Sequence, residues 1–310
     1  MTRYLISKFF YMLLSLFILI SATFFLMKAI PGNPFMSEKA TSPEIQARLM
    51  EQYGLDKPVY VQYFKYLGDI ASGDFGISMK KLNQSVTDII GQTFTVSLKL
   101  GFVAIIVSII VGILLGMLAA LYHRRLIDNI AMILAIMGIA VPSFVLASLI
   151  QYYFAQNLGW FNVMGFEGPL DYVLPVAALS AQPIAFIARL TRSSMLEVLH
   201  ADYIKTAKAK GLQPITIMFK HVVRNAILPV VTYVGPMTAN IITGSVVIER
   251  IFGIGGIGKV FVDSITTRDY TMIMGVTIFY GILLMVARFI TDIAYGFIDP
   301  RIKLTGGKEG

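Results

Sequence analysis

Cysteine is absent from the 310 residues, so disulfides, thiolate metal sites and thiol redox chemistry are all excluded. Charge is scarce as well: charged side chains make up 14% of the chain, against roughly 25% in an ordinary soluble domain. The three histidines, His123, His200 and His221, are too scattered to have metal-ligand spacing. No internal repeat is apparent, which argues against a solenoid or an array. There is also no dense basic tract interleaved with aromatics, so the formal charge of +8 does not indicate nucleic acid as a partner.

Apolar residues dominate instead. They form 56% of the chain, with a mean hydropathy of +0.72. Runs of about 20 residues, enough to cross a bilayer, lie at 9–30, 96–122, 130–156, 172–190, 226–248 and 273–298. They predict an all-α membrane protein with six transmembrane helices. Arg3 and Lys8, Arg124 and Arg125, seven basic residues from Arg189 to Arg224, and Arg301, Lys303 and Lys308 fall on one side of these spans. The positive-inside rule makes that side cytoplasmic, together with both termini. Arg3 and Lys8 ahead of an apolar run also describe a secretory signal. The run is longer than a signal core, however, and no small-x-small site precedes Pro31, so a retained span is expected.

One polar, basic stretch, 189–229, interrupts this apolar text. At its centre Asp202-Tyr203-Ile204-Lys205-Thr206-Ala207-Lys208-Ala209-Lys210-Gly211 predicts a short helix. Asp202 is its expected N-cap, lysines crowd the negative end of the dipole, and Gly211 takes the left-handed C′ position. Ala207 and Ala209 should leave the helix thin enough to enter a groove of another protein. The competing reading is a basic segment held against anionic lipid.

These residues resemble the EAA loop of permeases in ATP-binding-cassette importers. Lys205-Thr206-Ala207, three residues and Gly211 occupy the motif, followed later by Leu228-Pro229. Lysine in place of the motif's glutamate, and the later Leu-Pro, are similar to the oligopeptide, dipeptide and nickel branch. Further along, Pro31-Gly32-Asn33-Pro34, Tyr53-Gly54-Leu55-Asp56-Lys57-Pro58, Gln62-Tyr63 and Gly73-Asp74-Phe75-Gly76-Ile77-Ser78 resemble the first of the two permeases in that branch, most of all the oligopeptide one. The tail Asp292, Tyr295, Asp299-Pro300-Arg301-Ile302-Lys303 adds to the likeness.

The resemblance implies a type I importer fold in the cytoplasmic membrane of a bacterium. Residues 1–31 would be an N-terminal span, 32–93 an extracytoplasmic helical segment, 94–298 the permease core with a coupling loop at about 191–226, and 299–310 a cytoplasmic tail. It also implies a heterodimer with a second, similar permease, two cytoplasmic ATPase subunits and an extracytoplasmic peptide-binding protein, all at a lipid membrane. The chain itself would bind no cofactor and no metal; ATP and magnesium would be used by the ATPase subunits. Tyr203, Lys205, Thr206, Ala207, Lys208, Ala209, Lys210 and Gly211 would couple ATP hydrolysis to peptide translocation by alternating access.

Within 32–95, Ser42 and Pro43 predict a helix start and Gly54 its end, with Ile45, Leu49 and Tyr53 on one stripe. A second helix from about Val59 to Ile70 should bury Tyr63, Phe64 and Leu67. Gly253 to Val260 matches half of a phosphate-binding loop, but Val260 stands where a magnesium-holding Ser or Thr is needed, so nucleotide binding is rejected. Gly112 and Gly116 predict a close helix approach. Pro142, Pro175, Pro183, Pro229 and Pro236 remove helical donors and mark spans three to five as the pathway lining. Ser143, Gln151, Gln182, Asn240, Thr243 and Ser245 are its candidate polar contacts, each equally able to bond between helices. Arg288 and Asp292, one turn apart, can pair in the last span, either for gating or as a structural pair. An ion-coupled secondary transporter, a peptide-sensing scaffold and a nickel or dipeptide importer are the alternatives that the sequence leaves open.

Overall fold

A computed structural model describes residues 2–30, 43–81 and 83–298. The expected cap at Ser42, the Pro31–Pro34 run and the tail from Asp299 lie outside them. The described residues are helical apart from loops and one isolated bridge, Ile77 to Ser85. Four helices are long and apolar enough to cross a membrane, and the number rises to six if two bent pairs each count as one span. The chain divides into two compact units, 1–96 with 255–310, and 97–254.

In the first unit α1 (Thr2–Ala29) packs along α13 (Tyr270–Ile298). Phe9 and Phe289 meet at 6.1 Å between ring centroids, and Lys8 Nζ donates to Asp292 Oδ2 at 2.8 Å. Two short helices follow α1: α2 (Pro43–Gln52), ended by Gly54 at φ +65°, and α3 (Val59–Ala71). The Val59–Ile70 expectation holds for the helix but not for all of its burial. Tyr63 and Leu67 are half-buried, whereas Phe64 is exposed. The reason is that α3 lies on the end of α1, with Tyr63 and Tyr66 against Phe24 at 5.3 and 5.5 Å, so residues on its far face gain no cover. Val86, Ile89 and Ile90 at the start of α4 (Val86–Leu121) form a core with Ile257 of α12 (Ile257–Thr267) and with Met272 and Val276 of α13.

The Gly73–Ser78 run is held by its own chemistry. Gly73 and Gly76 have φ of +81° and +86°, and Asp74 Oδ1 accepts the Gly76 N–H at 2.8 Å. Ser78 Oγ donates to Asp269 Oδ2, while Asp269 Oδ1 accepts from the N–H groups of Met79 and Met272, both at 3.1 Å. Asp269 thus caps α13 and clasps the preceding segment with the same carboxylate.

In the second unit α7 (Val173–Leu199) is the central helix, packed by α5 (Leu126–Ala140), α6 (Ser143–Ile150) and α11 (Leu228–Phe252). Its contact positions are small: Ala178, Ser180, Ala185, Ala188 and Thr191 are buried. The expected approach at Gly112 and Gly116 is made to this helix. A Cβ at Gly112 would stand 2.7 Å from Ile187 Cβ, and one at Gly116 would stand 2.5 Å from the Ala188 carbonyl oxygen.

The third expected span, 130–156, is not straight. α5 and α6, the latter continued by a π-helical turn over Gln151–Asn157, meet at 106°. Proline disfavours the helical conformation in its predecessor, and Val141 sits at ψ 121°, so Pro142 starts a new helix. Pro175, expected as a break, instead occupies the first turn of its helix, where no donor is needed, whereas Pro229 stands in the first turn of α11 just after a 45° bend from the preceding segment. Pro183 and Pro236 lie inside unbroken helices. The helix expected at 172–190 runs on to Leu199, shortening the basic loop.

Candidate functional site

The basic helix forms as α8 (Asp202–Ala209), and its C-terminus is a full Schellman motif. Gly211, at φ +75°, donates its N–H to the Lys208 carbonyl at 3.0 Å, and Leu212 donates to the Ala207 carbonyl at 3.3 Å. The N-terminus departs from expectation. Ala201 is the capping position, and Asp202, one residue inside, makes no cap. Its carboxylate instead accepts from Lys205 Nζ at 2.8 Å on the open surface, where such a pair adds little stability.

The helix is two-faced. Ile204 and Ala207 are buried in a cluster with Ala120 of α4, Met195 of α7, and Ile217, Val222 and Ala226 of the return segment. That segment runs through α9 (Pro214–Thr216), a π-helical turn over Ile217–Val223, and α10 (Arg224–Ala226). Ala207, expected to keep the helix thin for an outside groove, therefore faces its own protein, where α8 packs on the Ile217–Val223 turn. Tyr203, Lys205, Thr206, Lys208, Ala209 and Lys210 remain on the exposed face. Asn225 Nδ2 donates to Tyr203 Oη at 3.1 Å and to the His221 carbonyl at 2.8 Å, fixing the tyrosine against the return segment.

A second polar centre, absent from the sequence expectations, lies between α5 and α7. Asp128 in the first turn of α5 is 2% exposed, and Arg192 of α7 grips it with both arms. Nε donates to Oδ1 at 2.6 Å and Nη2 to Oδ2 at 2.8 Å. The Arg124 N–H donates to Oδ2 at 2.9 Å, and His123 Nδ1 lies 3.1 Å from both Asp128 Oδ2 and Arg192 Nη2. Arg124 adopts φ +62°, a left-handed turn that delivers its N–H to the carboxylate. Asp128 and Arg192 are 64 residues apart, and no local motif links them.

The pathway candidates separate. Ser143 starts α6 half-buried, while Gln182 and Asn240 are exposed. Gln151 is a strut: its Nε2 donates to the carbonyls of Val163 and Ile251 at 2.8 and 2.9 Å. Ser245 is fully buried and donates to Glu249 Oε1 at 2.7 Å. Glu249, also fully buried, was missed as a site residue; its place between Ser245 and Phe252 in an apolar helix was the available signal. The Thr243 side chain lies outside the described residues. The expected pair in the last span is corrected: Asp292 takes Lys8, a residue of another helix, while Arg288 is exposed. The glycine-rich stretch is a helix-to-helix turn. Gly253 ends α11 at φ +65° and Gly256 precedes α12, so Lys259 sits inside a helix and not in a phosphate cradle.

Residues 112–304 match the family described as binding-protein-dependent transport system inner membrane component, and residues 1–106 match its N-terminal companion. The dipeptide transport system permease DppB of Bacillus subtilis is 49% identical over 98% of this chain and 99% of its own. The oligopeptide transport system permease OppB of Haemophilus influenzae is 45% identical over 98% and 100%. Among solved structures, an inward-facing MetNI methionine ABC transporter aligns with a TM-score of 0.55 at 17% identity, covering 68% of this chain and 96% of that one. An amino acid ABC transporter aligns at 0.54 and 16%, covering 67% and 93%.

Proposed function

The chain belongs to the family of binding-protein-dependent transport system inner membrane components, and from that premise we propose that it is a translocating subunit of an ATP-binding-cassette importer of oligopeptides. In this reading both termini are cytoplasmic and there are six spans: α1, α4, the bent α5–α6 pair, α7, the return segment with α11, and α13. A second, similar permease completes the pathway, two ATPase subunits bind and hydrolyse ATP with magnesium, and an extracytoplasmic binding protein delivers the peptide.

The observation that carries the reading is the two-faced α8. Its outward face offers Tyr203, Lys205, Lys208 and Lys210 to a partner, and its inward face buries Ile204 and Ala207 in a cluster shared with α4, α7 and the Ile217–Val223 turn it packs on. A push on α8 is therefore delivered to packed spans and not dissipated in a loop, since close-packed cores transmit strain. The Asp128–Arg192 grip ties the start of α5 to the same α7, so α5 follows it. The ATPase must contact α8 with different energy in its two nucleotide states, because equal contact would shift nothing. Ser143, Gln182 and Asn240 are the pathway residues of this proposal, while Gln151 ties its turn to α11 through the Ile251 carbonyl and Ser245 bonds within α11 to Glu249.

Reconstitution in proteoliposomes with the second permease, the ATPases and the binding protein tests it. Vanadate-sensitive accumulation of tetra- and pentapeptides supports the proposal. Accumulation confined to dipeptides or nickel moves the substrate class, and accumulation driven by an ion gradient without ATP refutes the function.

A further inference from the structure

Of the four long apolar helices α7 is the most enclosed, yet it keeps one open stripe. From Gln182 onward its exposed residues are Gln182, Phe186, Arg189, Ser193 and Glu197, spaced three or four apart and so on one face. Four of the five are polar or charged. The exposed stripe of α4 is of the opposite kind: Phe102, Ile106, Ile110 and Leu114 are all apolar, as suits a face against lipid. Gln182 has no hydrogen-bond partner and Arg189 no ion pair among the described residues. A polar stripe on a membrane helix turns away from acyl chains, toward protein or a water-filled path.

Phe186 is the exception on that stripe. Its ring is 44% exposed and stacks on Tyr233 of α11, with centroids 4.2 Å apart and planes 29° from parallel. Tyr233 is half-buried, and its hydroxyl has no hydrogen-bond partner among the described residues. Asn240 stands about two turns further along the same face of α11. In the six-span topology α7 runs inward and α11 outward, so Gln182 and Asn240 lie on the outer side of the ring pair and Arg189 on its inner side.

We propose that Phe186 and Tyr233 form an aromatic constriction in the peptide pathway, closed while the rings stack and open when α7 and α11 turn them apart. The proposal rests on the transport reading above and adds the residues that the cargo must pass. Stacking of one ring pair biases an equilibrium by only about 2- to 10-fold, so a nucleotide-driven movement can part it. The means of driving it is present. Met195 of α7 and Ile217, Val222 and Ala226 of the segment leading into α11 share the cluster beneath α8, so a displacement of α8 reaches both ring-bearing helices. Once parted, the two ring faces are free to stack on an aromatic side chain of the cargo.

The test uses the assembled transporter in proteoliposomes, with benzoylphenylalanine in place of Phe186 or, separately, of Tyr233. The cargo is tritiated tetraglycine or the same peptide with one central phenylalanine. The expected result is light-induced labelling of cargo from at least one position, dependent on ATP and the binding protein. Phe186→Leu keeps an apolar side chain and should lower uptake of the phenylalanine peptide relative to tetraglycine by about 2- to 10-fold. A role in packing alone would change both alike. An unchanged uptake ratio, or labelling of lipid or the second permease and never of cargo, overturns the constriction. ATP-driven uptake without cargo labelling overturns it alone, and cargo labelling without ATP-driven uptake overturns the transport reading alone.

Discussion

Replacing Arg192 by methionine should damage this protein more than replacing both Arg192 and Asp128 by apolar residues. Asp128 is 2% exposed and accepts two arginine N–H groups at 2.6 and 2.8 Å. Methionine preserves much of the arginine stem's packing but strands the carboxylate, leaving only the Arg124 N–H and His123 beside it. With Arg192 itself 24% exposed the pair is only part-buried, so losing the arginine costs about 1.5–3 kcal/mol, less than the roughly 3–5 kcal/mol of a fully buried pair. Asp128→Asn keeps the side-chain volume and, with its oxygen toward Arg124, an acceptor there, but it turns an NH2 toward the Arg192 Nε–H, so that hydrogen bond goes with the charge assistance, costing about 1–3 kcal/mol. Removing both charges, as Asp128→Leu with Arg192→Met, eliminates the stranded charge and should recover at least half of the Arg192→Met loss. Unfolding of the full chain in mixed micelles, followed by circular dichroism, gives the cycle directly. A cost for Arg192→Met within about 0.5 kcal/mol of zero, the ordinary surface value, or a double variant as damaged as the sum of the singles, would refute the idea that this grip fastens α5 to α7.

Ala207→Leu should destabilise the fold by about 1–3 kcal/mol, because the added atoms enter the packed cluster beneath α8. Ala209→Leu, on the exposed face, should leave stability unchanged and lower transport-coupled ATPase activity; unfolding and turnover measured side by side distinguish them. Gly211→Ala places a Cβ at φ +75° and should cost about 1–2 kcal/mol, read as a lowered melting temperature. Gly116→Leu sets a side chain against the Ala188 carbonyl and should force α4 from α7, with a loss of folded protein in membrane extracts. Asp269→Ala removes the cap of α13 and the Ser78 clasp together, and should destabilise by about 1–3 kcal/mol in thermal unfolding.

The fold was legible where a local signal sufficed. Gly54 and Gly211 end helices as read, because each meets a left-handed position that glycine takes without strain. Gly112 and Gly116 announced a close approach through their spacing alone, though not its partner. Burial was less legible: Ala207 looked like clearance for an outside groove, and only tertiary packing shows that the clearance is used internally. Phe64 carried the apolar periodicity of a buried face yet gained no cover, since periodicity names a face without saying what stands against it. The bend at Pro142 was half readable. Its cause was visible, but the 106° turn needed the neighbours that hold α6. Charge partners were least legible. Arg288 and Asp292 satisfied the one-turn rule, but Lys8, 284 residues away, took the carboxylate instead. Asp128 and Arg192 likewise found each other across 64 residues with no spacing to betray them.

The central claim is that α8 seats in an ATPase and moves with it, and the chain's lack of cysteine makes a direct measurement clean. A single cysteine in place of Ala209, on the exposed face of α8, would carry a short photoactivatable crosslinker in the assembled transporter, with and without ATP and vanadate. The account predicts crosslinks to an ATPase subunit whose yield or position changes with nucleotide. Crosslinks to lipid alone, or an ATPase crosslink indifferent to nucleotide, would contradict it.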